Sequence, residues 1–323
     1  MMKTFLLSFF IFFQSSFLVA QTCCSGGIPL SNNIGLAILE KGAFQIGINY
    51  DYNFLNTLNN RTEKLSDNSR LRTTRSVLLN FNYSFTNNFS LEGLLSWVNQ
   101  KRQITQFGNE NNDETSGVGD GVVLLKYGLN NVFGERSFVN VGIGTKVPMG
   151  SSTETNKQGI TLNADLQPGS NAWDLIYWSE FSRTFNFRPS FNFSTKFIYR
   201  STGINNSYFG DSSYKFGNEM QLFLGFSDQF LLFEAIINPS LSFKYRNANQ
   251  DEIGGFQLEN TGGNWVSVIP NFSINIRPNI ILSTKAEIPV YSNVDGTQLT
   301  PTFRITTGFL FIIPSKNEFQ ILN

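Results

Sequence analysis

The sequence predicts an all-β chain, a transmembrane antiparallel up-and-down β-barrel of about 12 strands with short periplasmic turns and long extracellular loops. Three observations predict this fold class. Apolar and polar residues alternate with a period of two along most of the chain, and the N-terminus carries an export signal. The connections between the alternating segments are short and long in turn.

The export signal opens the chain. Lys3 precedes an apolar run over 5–13, and the stretch ends at the small residue Ala20. A basic start, a short apolar core and a small residue before the cleavage point are typical of a secretory signal peptide. The predicted organisation is a signal peptide over 1–20, an N-terminal periplasmic segment over 21–42, an outer-membrane barrel over 43–313 and a C-terminal tail over 314–323.

Two adjacent cysteines, Cys23 and Cys24, lie just after the predicted cleavage point. A lipid anchor on Cys23 fits poorly, because Thr22 occupies the position where a small residue is expected. Vicinal thiols also bind soft metals such as Cu(I), or undergo redox chemistry. Alternatively they pair with each other or with another chain. Apart from this weak possibility, the sequence predicts no metal and no cofactor.

Composition removes several functional classes. The chain has 24 Lys+Arg, 24 Asp+Glu and no histidine. Zero net charge argues against nucleic-acid binding, which needs a basic face. Without histidine, the triads and imidazole bases of most hydrolases are missing. We therefore predict that the chain is not an enzyme.

Period-two alternation defines the strands. Between 44 and 54, apolar and aromatic residues fill the even positions, whereas Gln, Gly, Asn and Asp fill the odd ones. A soluble β-sandwich also alternates, but twelve long strands joined by short and long connections in turn favour a membrane barrel. The predicted strands cover 43–54, 74–85, 89–98, 117–129, 137–147, 172–185, 189–201, 213–226, 230–246, 264–276, 279–290 and 301–313.

The connections divide into two sets. Longer polar segments, rich in Asn, Ser, Thr and Gly, are the predicted extracellular loops. The longest, 148–171, either folds over the barrel mouth or forms a surface loop. The predicted tight turns are 87–88, 130–136, 186–188, 227–229 and 277–278, and the other predicted loops are 55–73, 99–116, 202–212, 247–263 and 291–300.

The same alternation places charged residues on the inward face. A balanced set of acids and bases suggests ion pairs across a narrow interior, rather than a pore selective for one sign. Two interpretations stay open: the pairs hold the barrel in shape, or they line a tight or gated polar path. The predicted pore-lining residues are Asp51, Glu92, Asp120, Lys126, Lys146, Asp174, Glu180, Lys196, Arg200, Lys215, Glu219, Glu234, Lys244, Lys285, Glu287 and Arg304.

Apolar residues share that inward position. An interior with many of them differs from a water-filled porin, and it suits hydrophobic or amphipathic solutes. Aromatic residues near the strand ends of the outward face, such as Trp97 and Trp173, suit the girdles at the membrane interfaces. The inward apolar residues are Leu78, Leu94, Val122, Leu124, Ile176, Trp178, Ile198, Phe223 and Ile236.

Three motifs carry a family resemblance. Residues 117–127 read GVGDGVVLLKY, residues 146–150 read KVPMG, and residues 167–174 read QPGSNAWD. In this order they resemble motifs of the outer-membrane proteins named for the meta-pathway of phenol degradation, although Met149 stands where that family tends to have Thr. The residues that carry the resemblance are Gly117, Gly119, Asp120, Lys126, Tyr127, Pro148, Gly150, Pro168, Gly169 and Asp174.

The resemblance implies a barrel that transports small, often hydrophobic compounds, in the style of long-chain fatty-acid channels. The expected partners are the lipid bilayer of the outer membrane and a small-molecule solute, with no nucleic acid. The alternative is a structural or partner-binding barrel whose lumen is plugged by ion pairs and whose loops are adhesive. The identity of the solute, its direction of passage and the oligomeric state are left open.

Overall fold

The structure of the chain is a computed structural model, which describes residues 33–210 and 212–315. The predicted signal peptide, Cys23, Cys24 and most of the predicted tail lie outside these residues. The strands are β1 (Phe44–Asn60), β2 (Glu63–Leu65), β3 (Arg70–Ser84), β4 (Phe89–Gln106), β5 (Asn109–Val118), β6 (Gly121–Asn130), β7 (Ser137–Val147), β8 (Asp174–Phe185), β9 (Arg188–Ser201), β10 (Ile204–Phe209), β11 (Ser212–Lys215), β12 (Glu219–Ser227), β13 (Phe230–Leu232), β14 (Ala235–Ala248), β15 (Glu252–Ile253), β16 (Phe256–Gln257), β17 (Gly263–Arg277), β18 (Ile280–Val294) and β19 (Thr297–Ile313).

Twelve strands form one closed antiparallel barrel, which confirms the predicted fold class. Their order is β1, β3, β4, β6, β7, β8, β9, β12, β14, β17, β18 and β19. The last strand pairs with the first, Phe44 opposite Ile313 and Asn60 opposite Thr297. A closed barrel pairs the backbone groups of every strand on both sides, which hydrocarbon requires. We call the end with the short turns periplasmic and the opposite end extracellular.

The alternation in sequence becomes two faces of the barrel wall, because successive side chains of a strand point to opposite sides. On β1, Ile48 is 47% exposed and Asp51 only 1%. On the neighbouring β3, Leu79 is exposed and Leu78 is fully buried. The exposed face is the apolar one, as expected where lipid is the solvent.

Aromatic side chains lie on the outward face towards both ends of the strands. Trp97 and Trp173 are exposed near the extracellular end. Near the periplasmic end, the Phe89 and Tyr127 rings lie 4.6 Å apart. This arrangement is the aromatic girdle that barrels place at the two membrane interfaces.

Several predicted loops are continuations of strands. β1 runs on to Asn60, the β4–β5 hairpin turns at 107–108, and β18 turns directly into β19 at 295–296. Above the lipid band both faces of a hairpin meet water, so polar residues replace the alternation while the strand pairing continues. Polar composition therefore marks the end of the membrane span and not the end of the strand.

A separate four-stranded sheet lies at the extracellular end, with the order β10, β11, β15, β16. Tyr214 and Phe216 pack there against Ala164, which belongs to a short 3-10 helix, Ala164–Leu166. This sheet divides the predicted strand 213–226, because β11 belongs to the sheet and the barrel strand starts only at Glu219. Among the described residues, no helix is long and apolar enough to cross a membrane.

Candidate functional site in the barrel lumen

Residues that precede the first strand lie inside the barrel. The backbone N–H groups of Gly35 and Leu36 donate to the Glu92 carboxylate, at 2.8 Å and 3.0 Å. Lys126 donates to the Leu36 carbonyl and pairs with Glu92, with 2.7 Å from Nζ to Oε2. We call residues 33–39 the lumen segment, since Glu40 and Lys41 are exposed and the Lys41 N–H donates to Asn87 in the β3–β4 turn. Residues 33–39 belong to the predicted N-terminal periplasmic segment over 21–42, which stays a prediction as a unit.

Gly35 is required where the lumen segment meets the barrel wall. Its φ is +102°, a backbone conformation that side chains with a Cβ rarely adopt. A Cβ on Gly35 would also lie 2.8 Å from the Trp178 ring. The adjacent Ile34 is buried in the apolar cluster of the lumen. The segment is therefore docked by one apolar side chain and by close backbone contact.

Polar side chains of the wall hold the rest of the segment. Asn80 donates to the Asn33 carbonyl at 2.5 Å, and Lys285 donates to Asn33 Oδ1 at 3.1 Å. Asn82 donates to the Ala37 carbonyl at 3.0 Å. These contacts satisfy the backbone of an irregular segment that is shielded from bulk water. No covalent bond among the described residues fixes the segment, apart from its continuation into β1.

A belt of alternating charges crosses half of the barrel wall. Lys146 Nζ lies 2.8 Å from Asp174, and Arg200 lies 3.9 Å from Asp174 and 3.3 Å from Glu219. All four side chains are at least nine-tenths buried. Buried charges persist where they are paired and hydrogen-bonded, and here each has opposite neighbours. The full belt, in order around the wall, is Asp120, Lys146, Asp174, Arg200, Glu219 and Arg246.

Asp120 ties the belt to the 148–173 loop. Its carboxylate accepts the N–H of Gly150 at 3.2 Å and both the N–H and hydroxyl of Ser170, at 3.0 Å and 2.7 Å. Lys146 lies 3.3 Å from the same carboxylate. One buried acid thus holds both ends of this loop.

The motif glycines allow the loop ends to touch. A Cβ on Gly150 would lie 2.6 Å from the Val118 carbonyl oxygen and 2.7 Å from the Gly169 backbone. A Cβ on Gly117 would meet Pro168 at 3.5 Å. The three motifs that carry the family resemblance therefore converge on one place, where β5, β6, β7 and β8 reach the extracellular end. We call it the motif junction, made of residues 117–120, 146–150 and 167–174.

Other predicted charges pair lower in the lumen. Arg304 Nε lies 2.7 Å from Asp51, and Thr306 donates to the same carboxylate at 2.8 Å. Lys244 Nζ lies 2.9 Å from Glu287. The pairs join neighbouring or nearby strands, as charges facing each other across a narrow interior do.

Lys196 and Glu180 face each other on paired strands, because β8 and β9 set them in direct register. The Lys196 ammonium also lies over the Phe223 ring, 4.8 Å from its centroid. Glu180 and Lys196 thus lie on the luminal face beside the apolar residue Phe223, whose ring the Lys196 ammonium contacts.

The apolar part of the lumen is one contiguous cluster. Eight of the nine predicted inward apolar residues belong to it, and the lumen segment contributes Ile34. The ninth, Ile236, is 36% exposed near the periplasmic rim. The members of the cluster are Ile34, Leu78, Leu94, Val122, Leu124, Ile176, Trp178, Ile198, Phe223 and Ile269.

Two predicted pore-lining residues lie outside the lumen. Glu234 is exposed in the turn between β13 and β14 with a φ of 64°, because the strand predicted to begin at 230 is interrupted by that turn. Lys215 lies in the extracellular sheet, 3.8 Å from Glu252. The other fourteen of the sixteen lie on the luminal face or at the motif junction, and their role in passage remains a prediction.

The 148–173 loop folds over the extracellular mouth, which decides between the two predicted arrangements. Arg72 Nη1 lies 2.8 Å from Asp165, and both side chains are buried. Thr115 and Gln100 donate to the Leu166 carbonyl, at 2.6 Å and 3.2 Å. Because strands β3, β4 and β5 all contact the loop, it forms a cap that is fixed to the barrel.

The extracellular sheet holds a buried tyrosine and a buried acid in contact. The Tyr214 hydroxyl donates to Asp251 at 2.6 Å, and the Gly217 N–H donates to the same carboxylate at 2.7 Å. Burial raises the pKa of Tyr214 well above 10, and the nearby Asp251 charge adds to this. Burial also raises the pKa of Asp251, which the two hydrogen bonds offset in part.

The local stability of the extracellular sheet is expected to depend on pH through the Asp251 carboxyl. Because the folded pKa of Asp251 is raised, the carboxyl contributes stability below its usual pKa of 3.8 and loses it as pH rises through the folded value. Asp251→Asn does not titrate. The measurement is the hydrogen-exchange protection of the amides of residues 212–216 in the wild type and in the variant. As pH rises from 4 to 7, we expect protection in the wild type to fall relative to protection in the variant. Parallel profiles would contradict this expectation.

Sequence reasoning missed three parts of the site. Arg246 ends the charge belt and shares the inward position of Lys244, so its parity could have identified it. Arg72 lies on the inward face of β3, within the predicted loop 55–73. Gly35 had no detectable signal, because the lumen segment is not periodic.

Among residues 33–210 and 212–315, no group of three or more acidic or cysteine side chains could hold a metal ion. The predicted weak site at Cys23 and Cys24 lies outside those ranges and stays a prediction.

The closed twelve-stranded wall and its apolar outward face define a transmembrane antiparallel β-barrel. No protein-family model matches the chain, and no curated protein matches it. Among solved structures it is similar to the COG4313 outer membrane channel from Pseudomonas putida F1, with 14% identity and a TM-score of 0.62, over 88% of this chain and 100% of that one. It is also similar to the β domain of the Bordetella autotransporter BrkA, with 12% identity and a TM-score of 0.47, over 84% of this chain and 100% of that one.

Proposed function

We propose that the chain is a passive outer-membrane channel for small hydrophobic or amphipathic molecules, and that it is not an enzyme. The observation that carries this proposal is the apolar cluster inside the barrel. A porin lumen is polar and filled with water, whereas here ten apolar residues from the wall and the lumen segment form one buried cluster. An apolar solute that takes the place of Ile34 in this cluster would lose little by leaving lipid.

The contacts of the lumen segment with the barrel wall are ones that a passing solute could replace. Ile34 packs in the apolar cluster. The backbone of Gly35 and Leu36 is hydrogen-bonded to the Glu92–Lys126 ion pair. An amphipathic solute offers the same two features, an apolar body and a polar group that accepts or donates hydrogen bonds. We infer that a solute replaces the segment at these contacts while it passes.

The family resemblance supports the same function. Eight of its ten motif residues, all but Lys126 and Tyr127, meet at the motif junction, where Asp120 and Lys146 hold the cap to the barrel. This convergence is what a shared structural device would produce, and it favours the transporters named for the meta-pathway of phenol degradation over an unrelated barrel. The proposed location is the outer membrane.

The second candidate is a structural or partner-binding barrel. The observation that favours it is that two segments are bound to the wall, the lumen segment inside the barrel and the cap at the extracellular mouth. In that case the buried ion pairs serve only to hold the barrel in shape.

Uptake of a hydrophobic probe separates the two candidates. Gram-negative cells that express the chain are mixed with an uncharged probe that fluoresces only in phospholipid, and with its sulfonated analogue. We expect faster uptake of the uncharged probe and unchanged uptake of the analogue. Equal uptake with and without the chain would favour the structural barrel, and acceleration of the analogue alone would contradict a hydrophobic path.

A further inference from the structure

A hairpin at the periplasmic end exposes an unusual number of apolar side chains. It consists of β13, the turn residues Phe233 and Glu234, and the start of β14. Leu231 is 75% exposed and Phe233 is 93% exposed. Exposed apolar residues occur singly on most surfaces, but four consecutive ones at a hairpin tip indicate a covering partner. The four are Phe230, Leu231, Leu232 and Phe233.

Both faces of the hairpin are apolar. Phe230 pairs with Ile237 on the face that continues the outer wall, and Leu231 pairs with Ile236 on the opposite face. A hairpin that stands in water normally has at least one polar face. The turn is also costly, because Phe233 and Glu234 have φ values of 48° and 64°, where Gly or Asn is usual. A hairpin surrounded by water would therefore not be expected to have these apolar residues on both faces.

The hairpin is continuous with the lipid-facing wall. The Phe226 ring lies 5.4 Å from Phe193 and 6.2 Å from Phe191, and Phe191 lies 6.1 Å from Phe187. These rings form a chain of contacts on the outward side of β9 and β12. Phe187 is exposed at the next turn. The apolar surface of the membrane span thus extends without interruption to the periplasmic turns.

Its depth matches the inner boundary of the membrane. Tyr245 lies on the outward face near the extracellular end of β14, and Ala235 lies ten residues away at the other end of the same strand. At about 3.3 Å per residue and a tilt of about 40°, ten residues span about 25 Å, which is the height of the apolar band of such barrels. The hairpin tip is therefore at the level of the inner-leaflet headgroups.

A basic residue accompanies the apolar ones. Arg188 lies over the Phe230 ring, 4.9 Å from its centroid, and its Nε lies 2.6 Å from Asp228. The Arg188 side chain is 44% exposed. Arginine beside aromatic rings is typical of a membrane interface, where the guanidinium meets phosphate and the rings meet the acyl boundary.

We propose that the 230–234 hairpin is inserted among the inner-leaflet phospholipids. Its apolar side chains lie at the boundary between headgroups and acyl chains, and Arg188 faces the lipid phosphates. This lipid contact is separate from the lumen, so it does not depend on the proposed channel function.

A spin label at the hairpin tip tests the insertion. The full chain carries Cys23→Ser and Cys24→Ser, with Phe233→Cys as the labelling site, and is reconstituted in phosphatidylethanolamine–phosphatidylglycerol vesicles. The nitroxide's collision rates with oxygen and with a water-soluble nickel chelate are compared. The matched control is Phe107→Cys, since Phe107 is fully exposed with a φ of 50° at the extracellular β4–β5 tip.

We expect oxygen collisions to exceed nickel-chelate collisions at 233, and the reverse at 107. Nickel-chelate collisions that dominate at 233 would place the tip in water and overturn the proposal. Low collision rates with both reagents would mean that another protein surface covers the tip, and this would also overturn it. Both labelled variants are first required to show the heat-modifiable migration of a folded barrel.

Discussion

Replacing Gly35 with valine is expected to release the lumen segment and raise the ion conductance of the barrel. Valine cannot adopt the φ of +102° without strain, and its Cβ would lie 2.8 Å from Trp178. A left-handed backbone costs about 1–2 kcal/mol, and the clash adds to it. A combined penalty of about 2–3 kcal/mol shifts the docking equilibrium of the lumen segment by about 30- to 140-fold, at 1.4 kcal/mol per tenfold.

Single-channel recordings in planar bilayers measure this effect, and Gly134→Val is the matched control. Gly134 has a φ of +97°, close to that of Gly35, but no atom lies within 4 Å of a Cβ placed there. It carries the same backbone penalty in a turn outside the lumen. We expect raised conductance only for Gly35→Val. Wild-type conductance in Gly35→Val, or an equal rise in Gly134→Val, would show that the segment does not limit passage.

The barrel could be predicted because lipid and lumen demand opposite side chains from alternate residues. That demand is local, so it is visible in the sequence without any knowledge of contacts. Asp51, Glu92 and Lys126 were placed on the inner face by parity alone, and all three are buried there. The alternation gave a wrong position for Glu234, because a turn at 233–234 interrupts the predicted strand.

The position of the lumen segment could not be predicted and that of the cap stayed open between two arrangements, because neither has a periodic signal. The lumen segment is held by backbone groups of Gly35 and Leu36, and backbone donors are the same in every sequence. The cap depends on the distant pair Arg72 and Asp165, which are 93 residues apart. Such pairing is decided by tertiary structure and leaves no local pattern in the sequence.

The motif junction lies between these cases. Three glycine-rich stretches pointed to one family, but the sequence did not show that they meet. Gly150 and Gly169 lack side chains because their backbones touch, and Asp120 is buried because it holds both loop ends. The resemblance thus identified the residues, and the geometry supplies their physical reason.

Replacing Lys146 with methionine is expected to destabilise the barrel more than any other single charge removal that we consider. Lys146 is 1% exposed and lies 3.3 Å from Asp120 and 2.8 Å from Asp174. Its loss leaves two buried carboxylates without their shared cation. Removing one partner of a buried ion pair costs about 3–5 kcal/mol. Equilibrium unfolding in urea, from phospholipid vesicles, measures the free energy of unfolding.

Lys215→Met is the matched control, because Lys215 is likewise paired with an acid, Glu252, but lies outside the lumen. Its Nζ is 3.8 Å from Glu252, and the two side chains are 28% and 38% exposed. Exposed pairs contribute at most about 1 kcal/mol, so we expect little change. Adding Asp174→Asn to Lys146→Met removes one of the two buried carboxylates that lose their cation. The double variant should therefore recover part of the lost free energy of unfolding. A double variant less stable than Lys146→Met alone, or equal losses at the two lysines, would show that the belt does not stabilise the barrel by charge pairing.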